Sequence, residues 1–244
     1  MVIKKTETPW ILVTGGAKNL GAAISRELAF QNYAVVIQYN HSEKEAFAIK
    51  EESLRQGLRV ECMQGNFSTL ESTLQFIQNY LDKFPNTVHL INNVGNYALG
   101  SCLNISLEQW YELFQTNLHT PYLLIRYLLP SLKQNQGSII NLGVAGAEAS
   151  RADTHATSYT LTKTALLKLT KSLALELAKE QVRVNMVSPG YLEESVDQPK
   201  DLTKIPMQRL GAYKEVVDLI LYLLSDQACY VTGQNIEIAG GTRL

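Results

Sequence analysis

Cysteine is scarce: Cys62, Cys102 and Cys229 are the only three in 244 residues, and no two stand at metal-ligand spacing. That excludes a disulfide framework and a cysteine metal site, and the three read as reduced core thiols of a cytosolic protein. An excess of one charge is lacking too. Charged residues make up 18% of the chain and the formal net charge is −1, so bulk electrostatics favours neither nucleic acid nor an anionic membrane as a partner. No uninterrupted apolar run reaches the length that spans a bilayer. The stretch up to Pro9 holds too short an apolar segment for a signal peptide. Internal repeats, linkers and low-complexity tracts are also missing. What remains is a 45% hydrophobic chain of a length suited to one large α/β domain. The expectation is a single domain over 1–244, cytoplasmic, with no metal.

Short β-branched runs at 10–14, 34–39, 59–64, 88–91, 138–142, 181–187 and 235–238 alternate with helical patterns, among them 43–56, 70–84, 107–134 and 214–224. Such alternation predicts a doubly wound parallel β-sheet, the Rossmann fold, with helices on both faces. His89 sits inside an apolar strand and reads as a structural residue. A polar segment at 193–204 reads as a mobile substrate loop or as a plain surface insertion.

Three places carry chemistry. The first strand runs into Gly15-Gly16-Ala17-Lys18-Asn19-Leu20-Gly21 and then a helix. Glycines permit close backbone approach, and the helix start offers free N–H groups to a pyrophosphate. The second strand ends in Tyr39-Asn40-His41-Ser42, with no acid before Glu43 to bind a ribose 2′-OH. Together with Lys18 in the glycine turn, that favours NADP(H) over NAD(H). Lys18 and His41 as solvated loop residues are the bland alternative. Asn66 follows the third strand, Asn93-Val94-Gly95 the fourth and Pro189-Gly190 the sixth, all where a parallel sheet binds ligands. In the helix at 107–134, Pro121 lacks the N–H that the Asn117 carbonyl would receive. The result is either a place for an ordered water or only a packing kink. Finally, Tyr159 and Lys163 are four apart on a helix and share a face. A phenol with a pKa of about 10 is too weak an acid for neutral pH, and a nearby ammonium is expected to pull it down.

Taken together, these residues resemble the short-chain dehydrogenase/reductase family over essentially the whole chain. Its Thr-Gly-x-x-x-Gly-x-Gly turn corresponds to Thr14-Gly15 through Asn19-Leu20-Gly21, with Asn19 in place of the middle glycine. Its Asn-Asn-Ala-Gly appears as Asn92-Asn93-Val94-Gly95, its helix asparagine as Asn117, and its Tyr-x-x-x-Lys as Tyr159 and Lys163. The resemblance implies that Tyr159 is the acid/base, that Lys163 lowers its pKa and holds the nicotinamide ribose, and that Asn117 anchors a water in a proton relay. It also implies a homotetramer. Within the family the chain is similar to 3-oxoacyl-acyl-carrier-protein reductases, and equally to pteridine and dihydrofolate reductases. A small-molecule or acyl-carrier-bound substrate is therefore expected.

One departure stands out: Val144 occupies the position of the family's serine, which hydrogen-bonds the substrate oxygen. Losing one such donor costs on the order of 10²–10³ in rate. Ser150, Thr154 and His155 are candidate replacements, whereas Ser158, one step from Tyr159, should point elsewhere. A nucleotide-binding module with reduced or lost catalysis is the expectation of another class.

Overall fold

In the computed structural model, which describes residues 8–149, 152–195 and 198–242, the seven runs become seven parallel strands. They are β1 (Trp10–Val13), β2 (Ala34–Tyr39), β3 (Val60–Gln64), β4 (Thr87–Asn92), β5 (Ser138–Leu142), β6 (Arg183–Pro189) and β7 (Asn235–Ile238). The helices are α1 (Asn19–Phe30), α2 (Glu43–Arg55), α3 (Leu70–Lys83), α4 (Leu107–Phe114), α5 (Thr120–Gln134), α6 (Thr157–Leu177) and α7 (Tyr213–Leu224). Strand order is β3-β2-β1-β4-β5-β6-β7. The chain reverses direction of winding between β1 and β4, so a crevice opens outside their carboxyl ends.

Side chains alternate across each strand, and both faces are apolar because both are covered. Ile11 and Val13 of β1 face a core shared with Ile24 and Leu28 of α1, Ile49 of α2 and Val216 and Ile220 of α7. Leu12, Val36 and Leu90 face the opposite core, with Phe76 of α3, Leu124 and Leu128 of α5 and Leu177 of α6.

Three expectations are corrected. The helix at 107–134 is not one bent rod: a π-helical turn, Gln115–His119, separates α4 from α5, and the Thr120 N–H reaches the Gln115 carbonyl. Pro121 has no N–H to donate, and the widened turn absorbs the mismatch. The sixth strand starts at Arg183, because Gln181 takes a left-handed φ of 59° at the turn before it. The cysteines are not all core thiols: Cys62 and Cys102 are half-buried and Cys229 is exposed. The polar segment after β6 is anchored at its near end, where the Glu193 N–H donates to the Gly211 carbonyl and the Glu193 carboxylate accepts from the Tyr213 N–H.

His89 is structural as expected. Its Nδ1 accepts the Ser138 N–H at 2.9 Å, and burial pushes its pKa down to about 3, so it stays neutral. Among the described residues no helix is long and apolar enough to cross a membrane.

Candidate active site

Thr14, at the end of β1, joins the glycine turn to the loop after β4. Its Oγ1 accepts the Asn93 and Val94 N–H groups at 2.9 and 3.1 Å, while Asn93 Nδ2 donates to the Thr14 and Gly15 carbonyls. The two strand ends flanking the crevice are thereby held as one unit. Gly15 has φ +61°, and a Cβ there would lie 2.9 Å from Val94 Cγ2. A Cβ on Gly21 would stand 2.0 Å from the Gly15 carbonyl oxygen, so the turn closes only with hydrogen at both positions. Asn19 has φ +48°. That explains how it stands where the family places glycine, since asparagine is among the residues that tolerate the left-handed region. Lys18 at the N-cap makes no side-chain bond to the first turn of α1, and that turn contains no acid. Leu20 and Gly21 present their N–H groups at this positive helix end.

Across the crevice, α6 supplies Tyr159 and Lys163. Asp153 sets where that helix begins. Its carboxylate accepts the His155 and Ala156 N–H groups and the Thr160 hydroxyl, and its carbonyl accepts the Thr157 hydroxyl. Burial works to raise the Asp153 pKa, but these hydrogen bonds outweigh it and the net direction is down. Lys163 is 3% exposed, and its Nζ donates to the Leu142 carbonyl at the end of β5, at 2.8 Å. A Cβ on Gly95 would come within 3.2 Å of that Nζ, so a side chain at 95 would crowd the ammonium.

Asn117 is fully buried. Its Oδ1 accepts the Asn96 N–H at 2.8 Å, and its Nδ2 donates to the Asn96 carbonyl at 2.9 Å and to Thr162 Oγ1 at 3.0 Å. The amide thus clamps the loop after β4 to α6. Both Nδ2 protons are committed, which leaves only acceptors for a water at this residue, the second lone pair of Oδ1 and the backbone carbonyl.

The Tyr159 pKa moves opposite to expectation. Burial pushes the phenol up to about 12, and burial pushes Lys163 down to about 8. The ammonium sits 5.7 Å from the Tyr159 ring centroid and spends a proton on Leu142, so desolvation exceeds charge attraction. Tyr97 stands edge-on to Tyr159 at 4.6 Å between centroids and covers part of the ring.

The remaining sequence-derived residues spread along the β2–β3 side. Lys18 is not free but pairs with Glu45 at 2.9 Å, both half-exposed. His41 is exposed, and Ser42 starts α2 without capping it by its side chain. The Asn40 carbonyl accepts from Gln64 Nε2, and exposed Asn66 accepts the Ser68 N–H. On the other side, the Gly190 N–H donates to the Ile238 carbonyl, and the Pro189 carbonyl accepts the Ala145 N–H, fixing the loop that carries Val144. Ser158 is buried, with no hydrogen-bond partner for its hydroxyl among the described residues. Thr154 and His155 are exposed, and Ser150 lies outside the described residues.

Three residues escaped the sequence reading: Thr162, Tyr97 and Gln38. Gln38 had a visible signal, an amide inside the otherwise apolar run Ala34-Val35-Val36-Ile37. It is 1% exposed, and its side chain accepts the Gly15 N–H at 2.8 Å and donates to the Gly65 carbonyl at 2.7 Å.

A family model described as enoyl-(acyl carrier protein) reductase matches residues 15–243. The 3-oxoacyl-[acyl-carrier-protein] reductase FabG of Staphylococcus aureus is 32% identical over 239 residues, covering 94% of this chain and 96% of that protein. Among solved structures, the acetoin dehydrogenase of Enterobacter cloacae superposes with a TM-score of 0.87 at 27% identity, covering 97% of this chain and 96% of that one. A blue fluorescent protein from a metagenomic library, solved in complex with NADPH, shares the fold at a TM-score of 0.89 and 24% identity, over 97% of this chain and 98% of that one. With a family model over nearly the full sequence and a relative aligned almost end to end, this chain belongs to the short-chain dehydrogenase/reductase family of oxidoreductases.

Proposed function

We propose that the protein is an NADPH-dependent reductase of 3-oxoacyl groups carried as thioesters on an acyl carrier. The observation that carries this reading is the Tyr159–Lys163 pair, its tyrosine half-buried and its lysine buried, with the ammonium set against Gly95 at the carboxyl edge of the sheet. The closely packed glycines, the uncapped start of α1 and the side-chain-free corner at Gly95 fit a dinucleotide. Asn19, Leu20 and Gly21 would hold the pyrophosphate, with Gly15 allowing its close approach by having no side chain, and with Asn93, Val94, Gly95, Lys163, Pro189 and Gly190 around the nicotinamide half. The nicotinamide supplies the hydride when bound.

A phenol raised to about 12 is fully protonated at neutral pH, so it holds the proton that is to be given. It is a weaker acid than a free phenol until the developing oxyanion draws the proton across. Tyr159 gives its proton to the substrate oxygen as negative charge develops there. Lys163 returns a proton to the phenol by way of a water that Asn117 would hold. Val144 offers no hydroxyl to that oxygen, so Tyr159 carries the protonation without the serine found elsewhere in the family.

For the 2′-phosphate, the reading rests on Asn40, His41 and Ser42 replacing a carboxylate at the end of β2, with Lys18 nearby. The Lys18–Glu45 pair is half-exposed and screened by solvent, so it holds its partners weakly. A doubly charged phosphate can therefore draw Lys18 away from Glu45. The deciding experiment follows NADPH and NADH oxidation with acetoacetyl thioesters, dihydropterins and dihydrofolate. Thioester reduction with NADPH preferred is the expected result. Consumption with the pterins alone sinks the acyl-carrier reading, and consumption with none favours a nucleotide-binding module.

We also infer a cytoplasmic homotetramer. Exposed apolar side chains on and before α4 (Leu103, Leu107, Tyr111) and on α6 (Leu161, Leu175) support a buried face there. Sedimentation equilibrium is expected to return four chain masses, and a monomer at micromolar concentration would rule this out.

A further inference from the structure

We propose that Gln38 is a positioning residue for the adenosine half of the cofactor, holding the turns after β1 and β3 at a fixed separation through one side-chain amide. This rests on the dinucleotide reading above. Gln38 is the last inward side chain on the face of β2 that carries Val36, so its amide emerges at the carboxyl edge of the sheet. Its Oε1 takes the Gly15 N–H at 2.8 Å and its Nε2 gives a proton to the Gly65 carbonyl at 2.7 Å. The N–H can only donate and the carbonyl can only accept, so the amide has one orientation.

The backbone repeats the connection. The Gly16 N–H donates to the Gln38 carbonyl at 3.0 Å, and the Gly65 N–H donates to the Tyr39 carbonyl at 2.8 Å. Both glycines are pressed against neighbours: a Cβ on Gly65 would stand 2.3 Å from Phe76 Cδ2. Two turns that open on glycine are thus located by one residue between them. Asn40, His41, Ser42 and Asn66 follow directly on the strands it joins. The Gly15 N–H, spent on Gln38, is also withdrawn from the pyrophosphate, which leaves the start of α1 to hold it.

Glutamate matches the length but has no proton for Gly65, methionine matches the length with neither bond, and asparagine is one methylene too short to span both. Preformed turns avoid an ordering cost when the nucleotide binds. In Gln38→Met the dissociation constants of NADPH and NADH are expected to rise together by about tenfold, the effect of leaving a buried backbone group unpaired. Binding of reduced nicotinamide mononucleotide, which lacks the adenosine, is expected to be unchanged, as are KM for the carbonyl substrate and kcat at saturating NADPH. Gln38→Asn, which keeps a polar side chain, serves if the methionine variant does not fold, and is expected to weaken both dinucleotides alike.

Unaltered dinucleotide affinity in a folded variant would overturn the assignment while leaving the dinucleotide reading intact. An equal loss for the mononucleotide, or a fall in kcat together with melting temperature, would also overturn it by showing a general structural role. Wild-type protein that bound neither dinucleotide would remove the proposed function and this role with it.

Discussion

Tyr159→Phe is expected to lower turnover by about 10²–10⁴-fold, the range a positioned general acid contributes, while NADPH affinity stays within about a factor of two of wild type. The two effects separate because the hydroxyl is the only group removed. The ring that packs edge-on against Tyr97 remains, and Lys163 holds Leu142 rather than the phenol. The contacts proposed between the cofactor and the glycine turn and Lys163 are therefore expected to survive. Stopped-flow NADPH oxidation and fluorescence titration read the two quantities independently. Turnover within threefold of wild type would show that the substrate oxygen receives its proton from elsewhere, and the phenol would lose its assigned part.

Lys163→Met is expected to remove turnover to a similar extent, yet to leave the fold as stable as before or more so. An ammonium 3% exposed, with its pKa depressed from 10.5 to about 8 by burial, costs the folded state on the order of 3 kcal/mol while charged. Below pH 8 both folded and unfolded chains carry the charge, and the cost applies in full. Between 8 and 10.5 the unfolded chain still binds a proton that the folded chain has released, so wild-type stability rises with pH across that window. Above it neither state is charged and the cost is gone.

Methionine abolishes the cost, but leaves the Leu142 carbonyl without its donor, at about 1–3 kcal/mol. The melting temperature at pH 7 is thus expected to hold or rise by a few degrees, and the pH-dependent gain to vanish. The same ionisation predicts that wild-type reduction slows as pH climbs through about 8, because the neutral amine no longer supports the phenol. Thermal melts at pH 7, 9 and 10.5 and a pH–rate profile examine both. A marked loss of stability in Lys163→Met would mean that the ammonium is a structural group first.

Strand and helix order, the glycine turn, the Asn92–Gly95 stretch and the Tyr159–Lys163 spacing were determined by the sequence alone. Each depends on neighbours within a few positions: periodic apolar residues, a β-branched run, a residue able to hold a positive φ. Even the substitution of Asn19 for glycine obeys such a local rule, since its φ of 48° is one asparagine accepts.

The relations that set the chemistry were decided only by the tertiary structure. Asn117 finds Asn96, 21 positions back, and Gln38 reaches Gly15 and Gly65, 23 positions back and 27 ahead. Lys18 meets Glu45 instead of standing free. The direction in which Tyr159 moves was likewise out of reach, because spacing shows that an ammonium is near but not how much water has been removed. Desolvation is set by everything packed around a group, and here it exceeds the one attraction that the sequence made visible.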